Sequence, residues 1–486
     1  MIHRKAVSTD TAYAVGEEDE MLTSIKRFFH REVDMLEGPI VNGLLAIAMP
    51  VMIMNVISSM FNIVDMAVLK EFGNDGYTVG AVGVCGYLIS LITGLLIGCA
   101  AGANVVVARH IGRGDRDSVS RTVGTSMFFA LIGGIMLTVI GVSLAEVFLR
   151  LMNCPEELLP NAVLYFRLYF LGVPLIMLYT FAHSILRSTG NTTAPMIQLI
   201  IGAVVKLVFT VILVAVFKLS VLGVALASII SWIVTAAMAL RSLIADGGTA
   251  KLEWRHFRIY SRELVDVLRI GVPAGLQQAL YSVANVIIST TVNSFGPAAT
   301  TGISIANNFD GILYQISMAP GYAVLPYISQ NVGKGNIKRS KQAIIRAMGI
   351  VVALGATFGA LSAIFSAELS SIMSSDPEVI AFSQQKMIIV SSTYFICGIN
   401  EVMGASLRGL GKPIIPTVST LIFMCLFRFV WVYLIFPLCP NLTFLYLVWP
   451  VGWTLSIITL LIFYFPTVKK LEEAIMASSE AQGATE

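Results

Sequence analysis

The chain has 486 residues, of which 56% are hydrophobic and only 13% are charged. Ordinary globular domains are about 45–50% apolar and about 25% charged, so this composition excludes a soluble globular protein and a disordered chain. The formal net charge of +3 is too small for a nucleic-acid-binding surface, which needs a concentrated basic patch. The remaining class is a membrane protein.

A helix that crosses a bilayer needs about 20 mostly apolar residues. Runs of this kind predict twelve transmembrane helices, called spans 1 to 12, at 42–69, 81–108, 122–145, 161–186, 195–217, 219–240, 264–292, 298–331, 347–367, 387–407, 413–437 and 442–466. The strands of a membrane barrel would alternate apolar and polar residues over about ten positions, and the chain lacks this pattern. The predicted fold class is therefore an all-α membrane protein.

Sequence matches in a constant order reveal an internal repeat. The matched residues of the first and second copies are Pro50 and Pro273, Asn62 and Asn285, Gly112 and Gly333, Met152 and Met373, Arg187 and Arg408, and Pro195 and Pro416. Each copy holds six predicted spans. Because an even number of spans returns the chain to its starting side, we predict two parallel six-helix lobes related by a pseudo-two-fold axis along the membrane normal.

The repeat and the charges divide the chain into five predicted parts. They are a tail at 1–41, an N-lobe with spans 1–6 at 42–243, a linker at 244–262, a C-lobe with spans 7–12 at 263–466, and a tail at 467–486. Most Lys and Arg residues fall in the tails, the linker and the loops on the same side. Those assigned to the opposite side are Lys70, Arg150, Arg167, Lys218 and Lys386. The positive-inside rule then predicts that both termini are cytoplasmic, at the cell (inner) membrane.

Polar side chains at helical spacing follow one face of span 1 and one face of span 7. The repeat makes the two stripes equivalent, with Asn55, Ser59 and Asn62 in span 1 corresponding to Gln278, Ser282 and Asn285 in span 7. Transporters built from such repeats bind substrate between the halves near the midplane. We therefore predict that these stripes line a substrate cavity. The alternative is polar contact between packed helices, worth about 0.6 kcal/mol each.

Charged residues within spans are the sharper signal, because a charge at the bilayer centre costs about 2.5–3.5 kcal/mol even on the most lenient scale. They are Asp65 in span 1, Lys206 in span 5, Asp310 in span 8, Glu401 in span 10 and Arg428 in span 11. We place the last three in the substrate cavity. The alternative is a structural ion pair, above all for Glu401, which shares a helix face with Arg408. The sequence contains no metal-ligand spacing and predicts no metal site or cofactor.

Several motifs in a fixed order carry a family resemblance. Met49-Pro50 leads to Asn62 and Asp65, the loops at 112–115 and 330–335 correspond, and Leu-Arg motifs end spans 4 and 10. On these residues the chain resembles the multidrug and toxic compound extrusion (MATE) family over about 42–466. The resemblance implies two six-helix lobes and an antiporter, driven by Na⁺ or H⁺, that exports amphipathic and mostly cationic small molecules. Asp65 matches the span-1 aspartate that the family uses in cation coupling.

Span 5 departs from the family pattern at two positions. Many relatives carry an Asn and, four residues later, an Asp, where this chain has Lys206 and Thr210. A fixed ammonium beside Asp65 would repel Na⁺, whereas protonation of Asp65 would break the pair and release Lys206. The predicted ion-coupling set is therefore Asp65, Asn62, Lys206 and Thr210.

Two other function classes are alternatives to an antiporter. A flippase for lipid-linked oligosaccharides or cell-wall precursors, from the same multidrug/oligosaccharidyl-lipid/polysaccharide superfamily, would carry more cations in its cavity. A membrane-embedded enzyme would need a catalytic motif such as HExxH, GxSxG or a Walker A loop, and none is present. The predicted partners are small-molecule substrates and membrane lipid, with no nucleic acid and no cofactor beyond the coupling ion. The predicted state is a monomer.

Overall fold

The computed structural model describes residues 33–72, 78–151, 156, 159–245 and 248–483. Only the backbone is described for residues 59–72, 78–84, 86–88, 90–91, 151, 220, 281–284, 286 and 478–483. The described chain is almost entirely helical. In chain order the spans are Ile40–Phe72, Thr78–Arg113, Arg116–Leu151, the pair Leu159–Leu171 and Val173–Ser188, Thr193–Val216, Ser220–Ala245, Ser261–Asn293, Pro297–Gly333, Ile337–Ile364, Pro377–Gly409, Ile414–Leu438 and Leu442–Ala477.

Among the described residues, nine helices are long and apolar enough to cross a membrane, or ten when the bent pair of span 4 is counted as one. Spans 7 and 8 are also long, with 33 and 37 residues, but they carry more polar side chains. A polar helix is stable in a bilayer when its polar face lies against protein or a water-filled cavity. Their polarity therefore indicates where such a cavity lies. The predicted boundaries of tails, lobes and linker stay predictions.

Three spans depart from regular helix geometry. Span 4 bends by 46° at Gly172, where the Trp232 ring occupies the space that a Cβ would need. Span 5 continues as a π-helix over Val211–Val216, and span 11 contains the π-helical segments Leu421–Leu426 and Trp431–Ile435. Such segments are frequent at functional sites.

Glycines bring the backbones of the two lobes into contact on the side of the linker. A Cβ on Gly98 of span 2 would lie 2.1 Å from the Cα of Gly275 in span 7. A Cβ on Gly112, at the end of span 2, would lie 1.9 Å from the carbonyl oxygen of Gln330 in span 8. No side chain fits at either crossing. Small residues of this kind let membrane helices pack backbone against backbone.

The segment just before span 1 adds polar bonds between the lobes. The carbonyl oxygen of Met35 accepts hydrogen bonds from Asn331 Nδ2 and Arg339 Nε, both at 3.0 Å. Glu37 pairs with Lys334 at 3.0 Å. Because this segment leads directly into span 1, these bonds tie the N-lobe to the C-lobe on the linker side.

Replacing Gly98 by Leu is expected to lower the melting temperature of the purified protein in detergent. The new side chain would enter space held by the Gly275 backbone, and overpacking of this kind typically costs about 1–3 kcal/mol. The matched control is Gly349→Ala in span 9, where an added Cβ meets no atom within 4 Å. The control is expected to be neutral or slightly stabilising, because Ala favours helix. Equal melting temperatures for Gly98→Leu and the unchanged protein would contradict the tight crossing.

Candidate functional site

A cavity of about 620 Å³ lies between span 2 of the N-lobe and spans 7, 8, 10 and 12 of the C-lobe. Ligand pockets of small molecules are typically about 300–1,000 Å³. The polar and aromatic side chains of its wall include Thr93, Gln278, Asn285, Ser289, Asn307, Asp310, Tyr314, Gln315, Lys386, Tyr394 and Trp449. These side chains lie in the middle of the spans or in the half of each span that is farther from the linker. On the linker side of the cavity, the same spans 2, 7 and 8 are in contact through glycines.

An ion pair between spans 8 and 10 lies in the cavity wall. Lys386 Nζ is 2.8 Å from Asp310 Oδ2, and the two side chains are only 3% and 8% exposed. Ser391 donates a hydrogen bond to Asp310 Oδ1 at 3.0 Å, and Lys386 also donates to Asn307 Oδ1. The ammonium lies 5.5 Å from the ring centre of Trp449, within reach of a cation–π interaction. Both carboxylate oxygens of Asp310 are therefore engaged, as a buried pair requires.

A second cation contacts residues of the same cavity wall without lining the cavity itself. Arg428 of span 11 is 1% exposed, and its Nη1 donates to Asn285 Oδ1 at 2.7 Å. Its guanidinium lies 5.6 Å from the ring centre of Trp449. Lys386 and Arg428 therefore both lie beside one aromatic ring of the cavity.

A polar network continues from the cavity toward the linker side of the C-lobe. Glu401 lines two smaller cavities of about 40 and 20 Å³ and pairs with Arg408 Nη2 at 2.5 Å. Arg408 also donates to Gln277 Oε1 at 2.8 Å, and Gln277 donates to Thr420 at 2.9 Å. Gln278 lines all three cavities, so the small cavities beside the network adjoin the wall of the large one.

The structure brings together most of the C-lobe residues that the sequence singled out. Gln278, Asn285 and Asp310 line the large cavity, Glu401 lines the smaller ones, and Arg428 contacts the wall through Asn285. The ion pair that was the alternative role for Glu401 is present. Within the described residues, no group of three or more His, Cys, Asp or Glu side chains could hold a metal ion.

The N-lobe residues are only partly described. Asn55 is half-buried in span 1, Lys206 is half-buried in span 5, and Thr210 is fully buried there. Spans 1 and 5 pack against each other. The side chains of Ser59, Asn62, Asp65 and Ser282 lie outside the described part of the chain. The pairing of Lys206 with Asp65 therefore stays a prediction.

Lys386 is the site residue that sequence reasoning missed. The hydropathy pattern begins span 10 at 387, which leaves Lys386 outside the membrane. The helix instead begins at Pro377, after Asp376, whose side chain accepts a hydrogen bond from the backbone of Glu378. An N-cap aspartate followed by Pro at the first helical position is a start signal that the sequence already contains. Starting there places Lys386 between two and three turns inside the helix.

Comparison with known proteins supports the predicted internal repeat and the fold. A family model described as MatE matches residues 50–212 and matches again at 273–434. The chain belongs to the MATE family of transporters. It is therefore a multi-pass membrane protein, and the two matches agree with the internal repeat.

Relatives of this MATE protein cover most of its length. It is 27% identical over 380 residues to the probable multidrug resistance protein YoeA of Bacillus subtilis, covering 76% of this chain and 82% of the relative. It is 23% identical over 401 residues to the FAD transporter of Shewanella oneidensis, covering 80% and 86%.

A solved transporter structure has the same fold. It is reported as "Reverse polarity of binding pocket suggests different function of a MOP superfamily transporter from Pyrococcus furiosus Vc1 (DSM3638)". The TM-score is 0.84 at 19% identity, covering 91% of this chain and 99% of that chain. The predicted fold class, twelve transmembrane helices in two lobes, is confirmed.

The pair of Asp310 and Lys386 is expected to behave as one energetic unit. Asp310→Asn or Lys386→Met alone leaves a buried charge without its partner, which typically costs about 3–5 kcal/mol. In a double-mutant cycle of melting temperatures in detergent, the double variant is expected to lose less stability than the two single variants lose together. The matched control is the pair of Lys341 and Glu472, which is 40% and 36% exposed. The double-mutant cycle of this exposed pair should give a coupling energy of about 0.2–1 kcal/mol. Additive losses for Asp310 and Lys386 would show that the two charges are not coupled.

Proposed function

We propose that this MATE protein is a secondary antiporter, coupled to H⁺ or Na⁺, that exports amphipathic small molecules from the cell by alternating access. The observation that carries the proposal is the cavity of about 620 Å³ between the lobes, which ends where glycines bring spans 2, 7 and 8 together. Relatives named as multidrug resistance proteins support export of drugs as the transported class. We further propose that the protein acts as a monomer in the cell membrane.

The direction of opening follows from the charges. The positive-inside rule places the linker and both termini in the cytoplasm, so the cavity lies in the outer part of the membrane. An outward-facing state of this kind is one end of an alternating-access cycle, and rocking of the lobes would produce the other. Rocking requires separation of the glycine crossings and release of the hydrogen bonds to the Met35 carbonyl oxygen.

The available energy suits such a cycle. One charge that crosses about 100 mV releases about 2.3 kcal/mol, and a tenfold ion gradient adds about 1.4 kcal/mol. A hydrogen bond typically contributes about 0.5–1.5 kcal/mol net. Each polar bond between the lobes on the linker side is therefore weaker than the energy that one coupling ion supplies. The same energy, about 3.7 kcal/mol, supports export against a gradient of several hundred-fold.

The charge of the substrate is less simple than the family picture. Cationic substrates are the family expectation, but Asp310, the carboxylate of the described cavity wall, is held by Lys386. Lys386 and Arg428 beside Trp449 favour, as a second candidate, transport of an anionic compound with a planar ring, or a lipid-linked precursor as in a flippase. The relative named as a FAD transporter supports the anionic class. A membrane-embedded enzyme has no such support, because the family consists of transporters.

Reconstitution into liposomes tests the antiporter directly. H⁺ and Na⁺ gradients are imposed separately, and efflux of a cationic dye and of a fluorescent anionic dye is followed. At least one gradient is expected to accelerate efflux of one dye several-fold over liposomes without a gradient. Failure of both dyes under both gradients, with movement of a lipid-linked sugar between leaflets, would replace the antiporter by the flippase.

Lys206 is expected to be required for proton coupling in the N-lobe. Lys206→Asn removes the ammonium that protonation of Asp65 would release, so proton-driven efflux in vesicles should fall about tenfold or more, as when a transport barrier rises by about 1.4 kcal/mol. Lys218→Asn is the matched control at the end of the same span. Its backbone has a φ of 53°, which Asn tolerates well, so its efflux should not change. Unchanged proton coupling in Lys206→Asn would remove Lys206 from the mechanism.

A further inference from the structure

We infer that Lys386 is a tethered cation that fills a monovalent-cation site of the C-lobe and thereby keeps Na⁺ out of it. The inference rests on the proposed ion-coupled antiport, because it names an ion that the C-lobe cannot use. The side chains that form the site are Asp310, Asn307, Ser391 and Trp449.

The ligands of the Lys386 ammonium are those of a cation site. Asp310 Oδ2 lies 2.8 Å from Nζ, and the amide oxygen of Asn307 accepts a hydrogen bond from the same atom. The Trp449 ring centre lies 5.5 Å away. Ser391 orients the carboxylate through its second oxygen. Carboxylate and carbonyl oxygens are the donors that hard cations prefer, and an aromatic face adds attraction for a cation.

The position of the pair shows that it is more than helix packing. Replacing a buried ion pair by apolar side chains is often neutral or stabilising, so stability alone does not favour charges on spans 8 and 10. Both Asp310 and Lys386 line the cavity of about 620 Å³. If the ammonium were absent, Asp310 and Asn307 would face a space large enough for an ion with water molecules.

The occupied carboxylate has a direct consequence for Na⁺. Among the lining residues that the structure describes, Asp310 is the only acidic side chain in the large cavity. An ion that enters this cavity therefore meets a carboxylate that already holds a cation. Coupling through the C-lobe cannot use Na⁺ while Lys386 is present.

Removal of the ammonium should create a Na⁺ site. Purified protein in detergent is melted in NaCl and in N-methylglucamine chloride at equal ionic strength, and binding of radioactive Na⁺ is measured in parallel. Lys386→Ala is expected to gain saturable Na⁺ binding of about one ion and a higher melting temperature in NaCl, because an ion that binds the folded state stabilises it. Lys386→Arg keeps a cation and should show no Na⁺ response at this site.

Two further variants make the result specific. Lys386→Ala combined with Asp310→Asn lacks the carboxylate and should lose the gained Na⁺ binding. Lys386→Ser serves in the same test if Lys386→Ala does not fold, since its hydroxyl can donate to Asp310. Absence of a Na⁺ response in both small variants would overturn the inference. Na⁺ binding to the unchanged protein that disappears in Asp310→Asn would overturn it as well.

The readouts separate this inference from the antiporter itself. Binding and melting do not require transport, so the gain of Na⁺ binding supports the tethered cation whatever the dye assay shows. Absence of efflux in liposomes, with the Na⁺ response of Lys386→Ala intact, would overturn the antiporter and leave the assignment of the site.

Discussion

The close contact between span 2 and the C-lobe is the constraint on which the rest of the arrangement depends. Gly94, Gly98 and Gly102 recur every four residues and therefore lie on one face of span 2. Added Cβ atoms at Gly98 and Gly102 would collide with the backbone of span 7, whereas Gly94 already belongs to the cavity wall. The same helix face thus contacts the C-lobe at Gly98 and Gly102 and lines the cavity one turn away, at Gly94. A bulky side chain along this face would change both the contact and the cavity.

The bilayer explains why the charges gather beside this cavity. Hydrocarbon offers no hydrogen bonds, so each buried charge must find its partners within the protein. Asp310, Lys386 and Glu401 satisfy this requirement with ion pairs, and Arg428 donates to Asn285. All four lie in the C-lobe and in contact with a cavity or its wall. Polar groups that are costly in lipid are therefore concentrated where water and substrate would enter.

Most of the helices, the two lobes and part of the cavity wall could be predicted from the sequence, and the exceptions have physical causes. Long apolar runs and the repeat predicted the spans and lobes, because the bilayer imposes helix length and two duplicated loops keep their turn glycines, Gly114 with Gly335 and Gly190 with Gly411. The stripe of Gln278 and Asn285 was predicted because helical spacing needs no tertiary information. Lys386 was missed because hydropathy measures composition, and the polar first turns of span 10 are helical only through the cap at Asp376. The partner of Lys386 could not be predicted, since Asp310 is separated from it by a whole span.

The two lobes share a scaffold but differ in their charges. Arg428 lies within one residue of the repeat position of Lys206, and each precedes a π-helical segment, so both lobes carry a cation at similar depth. The ion pair of Asp310 and Lys386, in contrast, joins spans 8 and 10, and neither charge has a charged counterpart in the first copy of the repeat. The repeat therefore relates the helices of the two lobes, whereas the ion pair in the cavity wall belongs to the C-lobe alone. If Lys206 pairs with Asp65 as the sequence predicts, an ammonium in each lobe would repel Na⁺ by the same Coulomb interaction, and the proposed antiporter would then use H⁺.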